Sequence, residues 1–470
     1  MRLRPVLTCV SALAIATPIA ITAAVAAPTS PSFPREAGVA GPLAEGVGTN
    51  LKPVAAIAYK GGTDLEFVTI KGRDYAVAPS EVVTGGKGML RMIDITNPVK
   101  PKLVGALPCH VSQNDVQVHG TTVFMGVDYD EKNDKCFEDA RAKPATGVIA
   151  VDISNPARPR GVGFVPIPLG AHNTTLHPSG KFLYVSDSEL VPANSSDPTG
   201  RLGRINVIDV SNLKQMKEIY TLPLPTGLSS HDITFNKAGT RAYSAAITQT
   251  LILDTTNAAK PTIKTTIVDP AVNISHGADP APDEKHLYVT DEQAGAAGNG
   301  VCNVGGVHIY DITNELAPVK TGYYTFNPTN SATATTNSRN LTCTAHVLDF
   351  GPTGKTFSNA GYAAGVRIVD ITSRIGYPTE LAAFTALDAD TWSAKQYKNP
   401  RYLFSNDLAR GFDVFEYIAG KGLVDTRSAK NKQYGIYRKG GTMFSKGAWC
   451  ANPKGTAAIN AAARAEGHHA

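Results

Sequence analysis

Four histidines, His172, His231, His276 and His346, fall at one position of a repeating unit in a chain of 470 residues that holds only 11 histidines. Neutral imidazole is a good ligand for copper, zinc, iron and nickel, and ligands carried by separate rigid strands need no folding when the ion arrives. The alternative is structural: each imidazole staples the top of its own repeat by bonding neighbouring backbone, because repeats copy structural residues too. The units without histidine carry Thr63, Asn114 and Trp392 at this position. Carboxylates at the same end of the unit add to the chemistry, since they can ligate, orient an imidazole through its other nitrogen or act as a base. The candidates are Glu81, Asp128, Asp187, Glu189, Asp291, Glu292 and Asp407. Asp187 and Asp291 follow well-aligned strands in histidine-bearing units, and Asp232 adjoins His231; these three are the candidate catalytic acids or bases.

The elements that position these groups are short strands. The segment Gly88-Met-Leu-Arg-Met-Ile-Asp-Ile-Thr-Asn-Pro98 is echoed from Gly147, Gly203, Thr250, Gly306 and Gly365, with a weaker copy from Gly411. The shared acidic position falls at Asp94, Asp152, Asp209, Asp254, Asp311, Asp370 and Glu416, a mean spacing of about 54 residues, which suits a propeller blade. Within a unit, β-branched residues alternate between clusters of Gly, Pro and Asn, so each repeat reads as four antiparallel strands. The repeated Asp is expected to hold a corner, its side chain bonding nearby backbone N–H groups before Pro turns the chain. Seven units are counted. The seventh lacks an outer strand, and residues 50–57 resemble the outer-strand segment 97–104, so the expected fold is an all-β, seven-bladed propeller closed by an N-terminal strand in the last blade.

The hydrophobic-Asp-Ile-[Thr/Ser]-Asn-Pro units resemble LVIVD repeats, which occur in secreted and surface bacterial proteins, over about residues 50–418. Phe182-Leu-Tyr-Val-Ser-Asp and His286-Leu-Tyr-Val-Thr-Asp resemble the YVTN type of propeller repeat. Both resemblances imply the fold and leave function open, since one scaffold hosts hydrolases, oxidases and binding proteins.

The termini and composition bound the rest. Arg2 and Arg4 precede an apolar run from Val6 to Val25 that ends in Ala24-Val25-Ala26, the pattern of a secretory signal over 1–26. Residues 27–49 read as a flexible leader and 419–470 as a basic extension. The expected location is therefore secreted or cell-surface, with no transmembrane segment in the mature chain. From Ala419 onward nine Lys/Arg face Asp425 and Glu466, and Arg2 and Arg4 leave with the signal, so the net +5 of the whole chain splits into +7 for the tail and −4 for residues 27–418. A mildly acidic body has no basic face for nucleic acid; the tail offers contact with an anionic envelope. G-x-S-x-G, P-loop, H-E-x-x-H and C-x-x-C motifs are absent from the sequence, which removes their sequence support for the corresponding hydrolase, nucleotide and redox readings.

Of six cysteines, Cys9 lies in the signal. The blade topology suggests Cys109–Cys136 and Cys302–Cys343, with Cys450 free or intermolecular. The functional expectation is an exported binding protein whose loop-rich face meets a protein, glycan or small ligand, and whose axial histidines hold a metal ion, divalent or copper, or an anionic group. The alternative is a metal-dependent propeller enzyme, an oxidase or lactonase-like hydrolase, using His172, His231, His276 and His346 as ligands.

Overall fold

The computed structural model describes residues 39–81, 88–109, 115–128, 136, 146–168, 170–186, 203–225, 227–292, 305–325, 344–373 and 376–429. Seven antiparallel sheets follow one another along the chain. Blades 1 to 5 span residues 66–108, 116–166, 174–223, 232–267 and 275–324, four consecutive strands each, and blades 6 and 7 are built on 348–386 and 391–417. Seven apolar clusters seal the seven seams, the last joining blade 7 to blade 1 through Phe404, Phe412, Leu65, Ala76 and Ile93. The middle strands are therefore buried on both faces, which is why Val148–Val151 and Ile205–Ile208 read as nearly continuous apolar runs.

The acidic repeat position has the structural duty expected of it. Asp94, Asp152, Asp209, Asp254, Asp311 and Asp370 each accept the backbone N–H two residues on, at 2.8–3.1 Å. Asn155, Asn212, Asn257 and Asn314 repeat the device three residues later. The Pro-Ser-Gly turn of blade 3 needs its glycine, since Gly180 sits at φ +71°.

Closure follows the expected route. Leu51–Ala58 pairs with Gly411–Tyr417 as the outer strand of blade 7. The sheets nonetheless extend beyond 50–418: Val39–Ala40 adds to that strand, Gly46–Thr49 joins the outer edge of blade 6, and Leu423–Asp425 pairs with Gly46–Thr49. Part of the segment read as leader, and the start of the segment read as tail, thus bind blades 6 and 7 together; a boundary at 418 would cut through a sheet. Among the described residues no helix is long and apolar enough to cross a membrane.

Cys109 and Cys136 form a disulfide across 27 positions in sequence, as the topology suggested. Cys302, Cys343 and Cys450 lie outside the described residues. Chain entropy assigns a loop of this length about 3.5 kcal/mol. Cys109→Ser/Cys136→Ser is expected to lower the denaturant midpoint accordingly, and an unchanged midpoint would show that the bridge adds nothing.

Candidate metal centre

The four histidines occupy equivalent places. His172, His231 and His346 each donate their backbone N–H to the strand alongside, at Ser186, Ala245 and Ala360. His276 sits at the irregularity between Ser275 and Gly277, opposite the end of the strand His286–Asp291. Each therefore enters from the start of an innermost strand, in blades 3, 4, 5 and 6 in turn. Their rings form one row, with centroids 4.1 Å apart for His172–His231 and 4.2 Å for both His231–His276 and His276–His346. All four are buried.

Carboxylates line the arc. His172 Nδ1 lies 3.1 Å from Asp128 Oδ2, and its Nε2 lies 3.1 Å from His231 Nε2. His231 Nδ1 lies 3.2 Å from Asp232 Oδ1, whose other oxygen is 3.7 Å from His276 Nδ1. Glu292 reaches between His276 and His346, 3.9 Å from the Nε2 of each. It also accepts a 2.7 Å hydrogen bond from Tyr362 Oη. His346 Nδ1 donates to the backbone oxygen of Trp392 at 2.7 Å. Two ligand sets result, His172–His231–Asp232 and His231–His276–Glu292, each with its ligand atoms within 4.8 Å of one another. Two imidazole nitrogens on a tetrahedral ion with bonds near 2.0 Å stand about 3.3 Å apart, so the 3.1 Å between His172 and His231 fits such an ion.

Electrostatics divides the arc. Burial by itself would discharge His172, but the hydrogen bond and charge of Asp128, with the charges of Asp115 and Asp232, outweigh it and lift the imidazole to about 9. Doubly protonated, His172 donates to Asp128 on one side and to His231 on the other. Burial, with the like charges of the neighbouring histidines, pushes His276 well down. Burial also lowers His346, against the pull of Glu292. These two imidazoles are neutral at pH 7, the state in which a nitrogen lone pair can ligate.

The other candidates are placed differently. Asp291 does not face the arc as a free base: its oxygens accept N–H groups of Asn273 and Ile274 at 3.1 and 2.9 Å, holding the loop before His276. Asp407, at the matching position of blade 7, likewise accepts from Asp390, Thr391, Ala409 and Arg410. Asp187, Glu189 and Asn114 lie outside the described residues. Tyr362 was missed because the phenol comes from a turn after a second strand, not from the histidine register. The innermost strands also carry acids one and three positions after that register, among them Asp64, Glu66, Asp115, Asp279 and Asp349. The alignment that found the histidines would have found these.

This geometry defines a β-propeller repeat protein with an axial histidine and carboxylate arc. Residues 145–165 match the LVIVD repeat model. No curated protein matches the chain. Among solved structures it is similar to the Swd1 β-propeller domain of Myceliophteria thermophila, at 10% identity and a TM-score of 0.54 over 78% of this chain and 99% of that one. It is also similar to a putative 6-phosphogluconolactonase from Bacteroides fragilis, at 10% identity and 0.52 over 78% and 96%. A third is the periplasmic gluconolactonase of Pseudomonas aeruginosa, at 12% identity and 0.52 over 73% and 93%. At these identities the likeness is one of fold alone.

Proposed function

We propose that this chain is an exported propeller protein whose axial arc binds a first-row transition-metal ion through His231, His276 and Glu292, with His172 and His346 flanking. The observation that carries this reading is the row of four buried imidazoles edged by Asp128, Asp232 and Glu292. Those carboxylates support a cation over an anion, the two ligand classes that the histidines alone left open: an anion would meet like charge on three sides, whereas a cation would be neutralised. Nitrogen and oxygen donors together suit copper, zinc, iron or nickel.

Metal binding is expected to be pH-dependent with a definite sign. An ion on the Nε2 of His231 displaces the proton that His172 donates there, and that proton is held up to about pH 9. Affinity should therefore rise roughly tenfold per unit between pH 7 and about 9, as for any ligand set that must lose one proton. Titration of the metal-free protein with Zn2+ across that range checks it; a flat profile takes this nitrogen out of the ligand set.

An enzymatic reading of the same residues draws on one observation. Three-ligand sets leave a coordination position open, as in catalytic sites and unlike closed structural ones. The metal-loaded protein screened against lactones and oxidase substrates tests it, and turnover that follows metal content through the variants would establish it.

A further inference from the structure

One position just beyond the second strand of a blade supplies the arc with side chains. It lies two residues past the one that faces the position after the histidine register, which gives Asp128, Ile247, Glu292 and Tyr362 in blades 2, 4, 5 and 6. Asp128 turns to His172 of the following blade, and Glu292 reaches from His276 of its own blade to His346 of the next. Tyr362 lies against His346 of its own blade, with ring centroids 4.6 Å apart, and 6.1 Å from the indole of Trp392 in the next.

The backbone at this position belongs to the fold and not to the phenol. Tyr362 sits at φ +48° and Ile247 at +60°, in the left-handed region that favours glycine. Each is held by a pair of backbone bonds to the next blade, Tyr362 with Thr391 at 3.0 and 3.1 Å and Ile247 with Ser275 at 3.3 and 2.6 Å. What blade 6 adds is the hydroxyl. Tyr362 Oη donates to Glu292 Oε1 at 2.7 Å, the one hydrogen bond that this carboxylate accepts among the described residues. The two oxygens of Glu292 are thereby given different partners: the phenol takes Oε1, whereas Oε2 is the oxygen 3.9 Å from His276 Nε2.

We infer, on the metal reading of the arc, that Tyr362 is a positioning residue of the metal centre: by holding Glu292 Oε1 it makes Glu292 a ligand through Oε2 alone and keeps one coordination position of the ion open. Two imidazoles and one carboxylate oxygen leave the fourth position of a tetrahedral ion free. A carboxylate that has lost its donor can turn both oxygens to the ion and fill that position. Partners that orient a ligand in this way count nearly as much as the ligand itself. The phenol is fixed in turn by the rings it packs on, His346 and Trp392, whose own centroids are 4.7 Å apart.

Titration of the full metal-free chain with Co2+, followed by its visible absorption, tests this role through Tyr362→Phe, which keeps the ring contacts and removes the hydroxyl alone. The variant is expected to bind Co2+ about 10–100-fold more weakly, the usual cost of losing a partner that orients a ligand. Its visible bands should lose intensity as the second oxygen raises the coordination number. In a Glu292→Ala background the same substitution should change the affinity by less than about threefold, since the phenol then has no ligand to orient. If Tyr362→Phe does not fold, Tyr362→Ile carries the same expectations, because Ile247 already holds this backbone conformation in blade 4. Equal affinity in wild type and variant, unchanged bands, or an undiminished loss in the Glu292→Ala background would each overturn the role while leaving the metal centre standing. No Co2+ on the wild type would overturn the metal centre itself and this role with it.

Discussion

His231→Ala/His276→Ala is expected to reduce bound transition metal from about one ion per chain to less than a tenth, with affinity at least hundredfold weaker. The two residues supply both imidazoles of the His231–His276–Glu292 set, and His231 belongs to the other set as well. Losing a single supporting partner of a ligand typically costs 10–100-fold; losing two ligands costs more. Elemental analysis of protein purified without chelator or affinity metal reads the outcome directly. The fold should survive, because the backbone bond from His231 N to Ala245 O does not involve the side chain. The apolar seam beneath, with Ile233, Ala242 and Leu251, is also untouched. A thermal melt of the metal-free forms checks this. Equal metal in the variant would return the histidines to a stapling role, in which case the variant should show its loss in melting temperature instead.

Deleting residues up to Ala58 is expected to have the largest effect on the protein as a whole: failure to accumulate in soluble form, or a melting temperature lower by well over 10 °C. The strand Leu51–Ala58 is the outer strand of blade 7, paired along Gly411–Tyr417, and Gly46–Thr49 sits between blade 6 and Leu423–Asp425. Its removal uncovers a ladder edge open to other chains. It also removes the buried side chains of Val47, Leu51 and Ile57, at about 1.5–3 kcal/mol each. Soluble yield and differential scanning calorimetry, beside a chain cut only to residue 38, measure it. A deletion that melts like the parent would show that blade 7 closes on its own three strands. Removing only the residues after 429 spares every one of these pairings, so envelope contact through the basic tail should be tested with that truncation and not with one at Ile418.

The sequence by itself carried the architecture, because repetition is written in it. The acidic corner, the strand–turn grammar and the resemblance of residues 50–57 to 97–104 settle blade number and closure by local rules: an Asp that caps the backbone two residues on, a strand edge that must be paired. The histidine register was legible for the same reason, since equivalent positions in a propeller converge on one axis. Cys109 and Cys136 were paired from the end of the blade on which each must lie.

What each carboxylate does was decided only by tertiary structure. Asp128 and Asp291 end equivalent strands, yet the first meets the imidazole of the next blade while the second holds the N–H groups of Asn273 and Ile274. The difference lies in which donors the adjoining loop presents, and loops are the part of a repeat that does not repeat. Glu292 gained its place by reaching between His276 and His346, and Tyr362 by a turn that bonds it back to that carboxylate. The proposed preference for a cation over an anion at the arc belongs here too. It depends on the sign of charge summed over residues from several blades, a quantity that exists only once the ring has closed.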